Sequence, residues 1–132
     1  MLKRNKCFLI SLLTFAFPFI FLGCSPGAST SYEQITGAKA KSLMDSESGY
    51  IIIDARTQEE YDEGHIPGAI LIPEYEIAEK AEKELPDKNA LILVYCRSGR
   101  RSKIASEELI KLGYTNVKEF GGIIDWPYEI VK

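Results

Sequence analysis

Residues 91–102 read Leu91-Ile92-Leu93-Val94-Tyr95-Cys96-Arg97-Ser98-Gly99-Arg100-Arg101-Ser102. Leu91 to Val94 is a short, unbroken apolar run, the pattern of a strand buried on both faces of a parallel sheet. The polar stretch that follows reads as a loop. From Arg100 to Leu112 the residues Ala105, Leu109 and Leu112 fall on one helical face, and Gly113 supplies the stop. Strand, loop and helix in direct succession imply one unit of an α/β sheet. The chain on either side repeats the scheme. Ile51-Ile52-Ile53 is a second buried strand, Ala69 to Ile72 a third closed by Pro73, and Asn116 to Phe120 a last one.

Helices are expected between the strands. Thr36 is placed to cap a helix over about Gly37 to Asp45, with Ala40 and Leu43 or Met44 turned inward. Gln58 to Glu63 reads as one or two helical turns ended by Gly64. Glu74 to Leu85 carries Ile77, Ala81 and Leu85 at fourfold spacing, with Glu76/Lys80 and Glu79/Lys83 in the favourable i, i+4 order. Gly121-Gly122 precedes a short helical turn around Trp126. Strands alternating with helices give a small parallel α/β fold.

The whole chain has 132 residues, 45% of them apolar and 27% charged, enough for one domain with a core and inconsistent with collagen, disordered chain or a multi-span membrane protein. Its first part reads differently from the rest. Lys3, Arg4 and Lys6 precede the 16 uncharged residues Cys7 to Leu22, which fall short of the roughly 20 needed to span a bilayer and are interrupted by Pro18. A basic start, a short apolar stretch and a small residue at the end form a secretory signal. Phe21-Leu22-Gly23-Cys24 resembles a bacterial lipobox, with Phe21 and Leu22 bulkier than the commonest residues there. The expected organisation is a signal peptide over 1–23, a lipidated tether over 24–31 (Ser25 to Ser31 being small and flexible), and one folded domain over 32–132. Cys24 is then the lipidated N-terminus and the protein an exported, membrane-anchored lipoprotein facing the periplasm or the outside, diacylation meeting the two-chain requirement for stable anchoring.

Removing residues 1–23 leaves 109 residues with a net charge of −6, which argues against nucleic acid as a partner. It also separates the three cysteines: Cys7 leaves with the signal, Cys24 takes lipid, and Cys96 remains as a free thiol. Cys96 ends a buried strand, where open α/β sheets bind ligands. A loop curling into a helix start aims several backbone N–H groups at one point and stabilises a thiolate there. Gly99 removes the Cβ where that curl is tight. Arg97, Arg100, Arg101 and Lys103 place four cations at a helix start, where cations cost stability, so an anionic substrate is expected to offset them.

The loop Cys96-Arg97-Ser98-Gly99-Arg100-Arg101-Ser102 resembles the active-site loop of single-domain rhodaneses, the thiosulfate sulfurtransferases. Ile53-Asp54-Ala55-Arg56, Glu60-Tyr61, Gly64-His65-Ile66-Pro67-Gly68-Ala69, Gly113-Tyr114, Val117 and Gly121-Gly122-Ile123 through Trp126 are similar to the same family, a likeness running from about Tyr32 to Val131. The resemblance implies a five-stranded parallel sheet between helices. It also implies a cysteine that takes the outer sulfur of thiosulfate, releases sulfite, and passes the sulfur from a persulfide to cyanide or a thiol. Carried over, Cys96 is the nucleophile, and the backbone from Arg97 through Ser98, Gly99, Arg100 and Arg101 to Ser102 cradles the sulfur. The guanidiniums of Arg97, Arg100 and Arg101 draw in the anion. Asp54 and Arg56 are supporting residues that orient neighbouring loops. His65 and Trp126 are read as structural. No general base, metal or cofactor is called for, and a monomer is expected.

Two other readings are open. Phosphatases and arsenate reductases of related fold carry a cysteine, five residues, then arginine; here Arg101 stands one position early and Ser102 takes the sixth place, a loop suited to a sulfane sulfur. A non-catalytic, persulfide-carrying binding module is the third.

Overall fold

The computed structural model describes residues 31–132. The signal segment, Cys24 and all of the tether except Ser31 lie outside the described residues. Among the described residues no helix is long and apolar enough to cross a membrane.

The elements run β1 (Glu33–Gln34), α1 (Gly37–Ser46), β2 (Ile51–Asp54), α2 (Gln58–Glu63), β3 (Ile70–Leu71), α3 (Ile77–Glu84), β4 (Ile92–Cys96), α4 (Arg100–Lys111) and β5 (Val117–Gly122). All strand pairs are parallel, and the sheet order is β1-β5-β4-β2-β3. The strand that carries Cys96 is therefore central, and every residue of it is buried.

Side-chain alternation divides β4 between two cores. Ile92, Val94 and Cys96 join Ile53 and Val117 against Ile77, Ala81 and Leu85 on the α3 side and Ala105 and Leu109 of α4. Leu93 and Tyr95 join Ile52, Ile66 and Phe120 against Ala40 of α1, with Leu43, Met44 and Trp126 packed at the margin. The unbroken apolar runs follow from this, because a strand covered on both sides has no solvent-facing position. Helices cover both faces, as the sequence predicts.

Local signals explain most boundaries. The Thr36 hydroxyl accepts from Lys39 N at 3.1 Å and starts α1. Thr57 and Glu60 form a reciprocal capping box at the start of α2. The chain leaves α4 through Gly113 at φ 93°, a conformation that favours glycine.

Four elements depart from the sequence reading. The edge strand β1 was not foreseen; its two residues are exposed and carry no apolar signal, and only the ladder to Lys118 and Glu119 defines it. β3 is trimmed to two residues. Glu74–Glu76 form a 3₁₀ turn after Pro73, so regular helix starts at Ile77; of the two expected ion pairs, Glu76 and Lys80 meet at 2.5 Å. β5 runs on to Gly122, and the short turn covers Ile123–Asp125, with Trp126 N–H donating to Ile123 O at its end.

The sheet is joined to the segment before β3 by Tyr95. Its buried hydroxyl donates to Asp54 Oδ2 at 2.7 Å and accepts from Ile66 N–H at 3.1 Å, while burial and the Asp54 charge hold the phenol well above its ordinary range. Tyr95→Phe leaves a carboxylate oxygen and an amide without this partner. It is expected to cost about 1–3 kcal/mol in urea unfolding with an unchanged slope; an unchanged midpoint would show that the hydroxyl contributes nothing.

Candidate active site

The site forms where β4 gives way to α4. β4 and β5 run in register as far as Val94 opposite Glu119, then slip so that Cys96 faces Gly122. The extra residue on β5 lets Gly121 adopt φ 91° and brings Gly122 directly beneath the loop. A Cβ on Gly122 would lie 2.0 Å from Arg97 O and 2.6 Å from Ser98 Cα, so only glycine admits the loop at this height. Gly99, at φ 102°, completes the curl and leads into α4.

The curl closes around sulfur. Gly99 N–H points at Cys96 Sγ with N···S 3.0 Å, and the Ser102 hydroxyl lies 3.4 Å from the same atom. Burial pushes the thiol up, but the Ser102 hydroxyl and the backbone N–H groups of Ser102, Gly99 and Ser98 outweigh it and bring Cys96 below its ordinary range. Cys96 is 1% exposed. The arrangement is a thiol at the floor of a ring of donors that makes its anion, the nucleophilic form of sulfur, easier to form.

The predicted site residues are brought together unevenly. Arg97, Ser98 and Arg100 stand exposed at the mouth. Arg101 turns aside: its guanidinium forks onto Glu60 of α2, with N···O distances of 2.7 and 2.8 Å. Its charge is matched inside the protein, which leaves Arg97 and Arg100 as the loop guanidiniums open to an incoming anion. Ser102 is fully buried and belongs to the floor. Asp54 and Arg56 form a buried fork with N···O distances of 2.7 to 3.1 Å, and Arg56 also donates to Gly64 O at 2.6 Å. With Tyr95 they brace the loops on the other face of the sheet rather than touching the sulfur. His65 stacks on Tyr61 at 3.7 Å, its Nδ1 is 3.0 Å from Tyr61 O, and its backbone bridges to Val131; this is a structural histidine.

Two acids at the site were not foreseen. Glu60 is found only through Arg101, 41 residues away, and no local pattern links them. Glu119 is 3% exposed, accepts from the Ser102 hydroxyl at 2.6 Å and accepts from Gly121 N–H at 2.8 Å. The alternation that buries Val117 turns Glu119 to the same face, so an acid at an inward strand position was a usable signal.

A central parallel strand that delivers a cysteine into a ring of backbone donors defines an α/β domain built around one buried thiol. The chain belongs to the rhodanese-like domain family, whose profile matches residues 36–127. It is 45% identical over 80 residues to the thiosulfate sulfurtransferase PspE of Escherichia coli K12, covering 61% of this chain and 77% of that protein. The thiosulfate sulfurtransferase GlpE of Coxiella burnetii is 32% identical over 96 residues, covering 72% of this chain and 87% of that one. A solved structure described as rhodanese with anions from E. coli superposes with a TM-score of 0.60 at 42% identity, covering 63% of this chain and 98% of that chain.

The Glu60–Arg101 fork carries a pH signature. Hydrogen bonds from Arg101 pull the Glu60 carboxyl from its ordinary 4.5 down to about 2. A lowered carboxyl stabilises the fold above its unfolded value and loses that contribution as pH falls through the folded one. The difference in melting temperature between the native protein and Glu60→Gln is expected to be flat above about pH 5 and to shrink between 4.5 and about 2. A difference independent of pH across that range would contradict an ionised fork.

Proposed function

We propose that the protein is a sulfurtransferase that moves the outer sulfur of thiosulfate, or of a similar anionic donor, through a persulfide on Cys96 to cyanide or a thiol. The observation that carries this is the Gly99 N–H directed at Cys96 Sγ with N···S 3.0 Å, in a ring completed by Ser98 and Ser102. The names of the relatives, thiosulfate sulfurtransferases among them, point the same way.

The Cys96 thiolate attacks the sulfane sulfur of thiosulfate. A new S–S bond forms, the bond to the sulfonate sulfur breaks, and sulfite leaves with the electron pair, so the persulfide anion inherits the charge of the thiolate. The same N–H groups that face the thiolate are placed to hold that charge. Cyanide or a thiolate then attacks the outer sulfur and Cys96 departs as thiolate. Arg97 and Arg100, both exposed at the mouth, draw the donor in by a screened attraction.

A phosphatase or arsenate reductase reading fits less well. The position that carries arginine in those loops is Ser102, which is buried and bonded to Glu119. A persulfide carrier without turnover uses the same loop, and the assay below separates it.

The full chain, with its thiol reduced, is expected to form thiocyanate from thiosulfate and cyanide and to release no phosphate from an aryl phosphate. Cys96→Ser is expected to abolish thiocyanate formation while melting like the native protein. Arg97→Ala and Arg100→Ala are each expected to raise KM for thiosulfate about fivefold, on the order of 1 kcal/mol, and to weaken its rise with salt. A folded, reduced protein that forms no thiocyanate rejects the sulfurtransferase reading, and phosphate release favours the other enzyme.

The lipobox-like Phe21-Leu22-Gly23-Cys24, after a basic start and a short apolar stretch, supports export and anchoring through lipid on Cys24, with the catalytic domain held outside the cytoplasm on residues 25–31. In a bacterial host fed labelled palmitate, the native chain is expected to take up label and Cys24→Ala to lose it. Equal labelling of the two would overturn the anchor.

A further inference from the structure

Arg101 starts from the same turn of α4 as Arg100 but does not share its exposure. It stands five residues after Cys96, and both hydrogen bonds of its guanidinium go to Glu60 of α2, at 2.7 and 2.8 Å. Glu60 is fixed independently of this contact. Its Oε2 accepts from Thr57 N–H at 3.1 Å, as the acid of the capping box that starts α2. Local structure thus holds the acceptor in place, and Arg101 is the partner that turns toward it. The two side chains are 19% and 23% exposed, so the pair lies beside the loop and not in the interior. Its charges still belong to the site: Arg101 interacts electrostatically with Cys96 and with Glu74, and Glu60 with Arg56. Arg97, Arg100 and Lys103 are exposed and have no ion-pair partner among the described residues.

We propose that Glu60 sets the charge selectivity of the Cys96 site: by pairing with Arg101 it withholds a third guanidinium from the loop, and so limits how strongly doubly charged anions are favoured over singly charged ones. Glu60 acts through Arg101 and is a positioning residue. Coulomb attraction grows in proportion to the charge of the ligand. One more uncompensated cation beside the loop therefore favours a dianion such as thiosulfate twice as much, on a logarithmic scale, as a monoanion. The restraint has a use. Sulfite leaves the same site as an anion, and an attraction shared by donor and product tightens both without speeding the chemical step. Two open guanidiniums draw the donor in; a third would also hold the product back.

Glu60→Gln keeps a side-chain oxygen for Thr57 N–H, so α2 retains its cap, and it removes the negative charge whether or not Arg101 moves. Arg101→Gln does the reverse and leaves Glu60 uncompensated. The double variant restores the native net charge. The inference deepens the sulfurtransferase reading, and two readouts on the full chain separate the failure of one from that of the other.

The first readout needs no turnover. Cys96 is alkylated at one pH with iodoacetate, which is negatively charged, and with iodoacetamide, which is neutral. The ratio of the two rates cancels the thiolate fraction and reports the potential at the sulfur. It is expected to rise about twofold in Glu60→Gln, to fall about twofold in Arg101→Gln, and to return to the native value in the double variant. The second readout compares KM for thiosulfate with KM for methanethiosulfonate, which has the same kind of sulfur–sulfur bond and a single charge, with cyanide as acceptor. Glu60→Gln is expected to lower the first about fourfold and the second about twofold without raising kcat, and Arg101→Gln to raise them in the same proportion. A native alkylation ratio in either folded single variant overturns the proposal, as does a Glu60→Gln that shifts both donors equally or raises KM for thiosulfate. Arg101→Gln decides where Glu60→Gln fails to fold. Alkylation ratios that shift as expected in a protein that forms no thiocyanate reject the sulfurtransferase reading and leave the control of anion charge by Glu60 standing.

Discussion

The site depends on one steric constraint, the passage of the Gly122 backbone directly under Arg97 O, where a Cβ would sit 2.0 Å from the oxygen. Everything around the sulfur follows from it. The slip between β4 and β5 places Gly122 opposite Cys96, and the absent side chain lets the loop settle onto the strand. Gly99 then closes the curl at φ 102° so that its N–H meets the sulfur. Backbone donors fixed in this way need no reorganisation when charge develops, which is the condition under which they stabilise an anion most.

Charge is divided by the same architecture into matched and open groups. The run Arg97, Arg100, Arg101, Lys103 looks uniform in the sequence, but α4 turns Arg101 back toward α2, where Glu60 takes it in a two-pronged contact. That pair ties the start of α4 to the α2 segment and holds the helix that completes the sulfur ring. Arg97 and Arg100 remain exposed to an anion. Beneath the floor, Asp54, Arg56 and Tyr95 satisfy one another, so the buried charge on the other face is fully bonded. The protein thus separates the cations that hold the fold from those left exposed at the loop.

Much of this was legible in the sequence. Ile51 to Ile53 and Leu91 to Val94 announce central strands because both faces are covered, and the fourfold spacing of Ile77, Ala81 and Leu85 marks a helix that is fully buried along that stripe. Cys96 stood out as a free thiol at the end of a buried strand, where a loop with Gly99 and several arginines opens a helix. The partners of the site were legible only in part. β1 is two exposed residues defined by pairing alone, and Glu60 meets Arg101 across 41 residues; neither leaves a local trace. Glu119 did leave one, an acid in phase with Val117, but a short strand is weak ground for assigning an inward face.

Cys96, whose ionisation the loop donors ease, is proposed to accept a single sulfur atom. Intact-mass measurement of the full chain after brief exposure to thiosulfate tests it most directly. The protein is expected to gain the mass of one sulfur, to carry it on the peptide that contains Cys96, and to lose it when cyanide is added. A folded protein with a reduced Cys96 that shows no added sulfur, or that carries it elsewhere, would contradict the account.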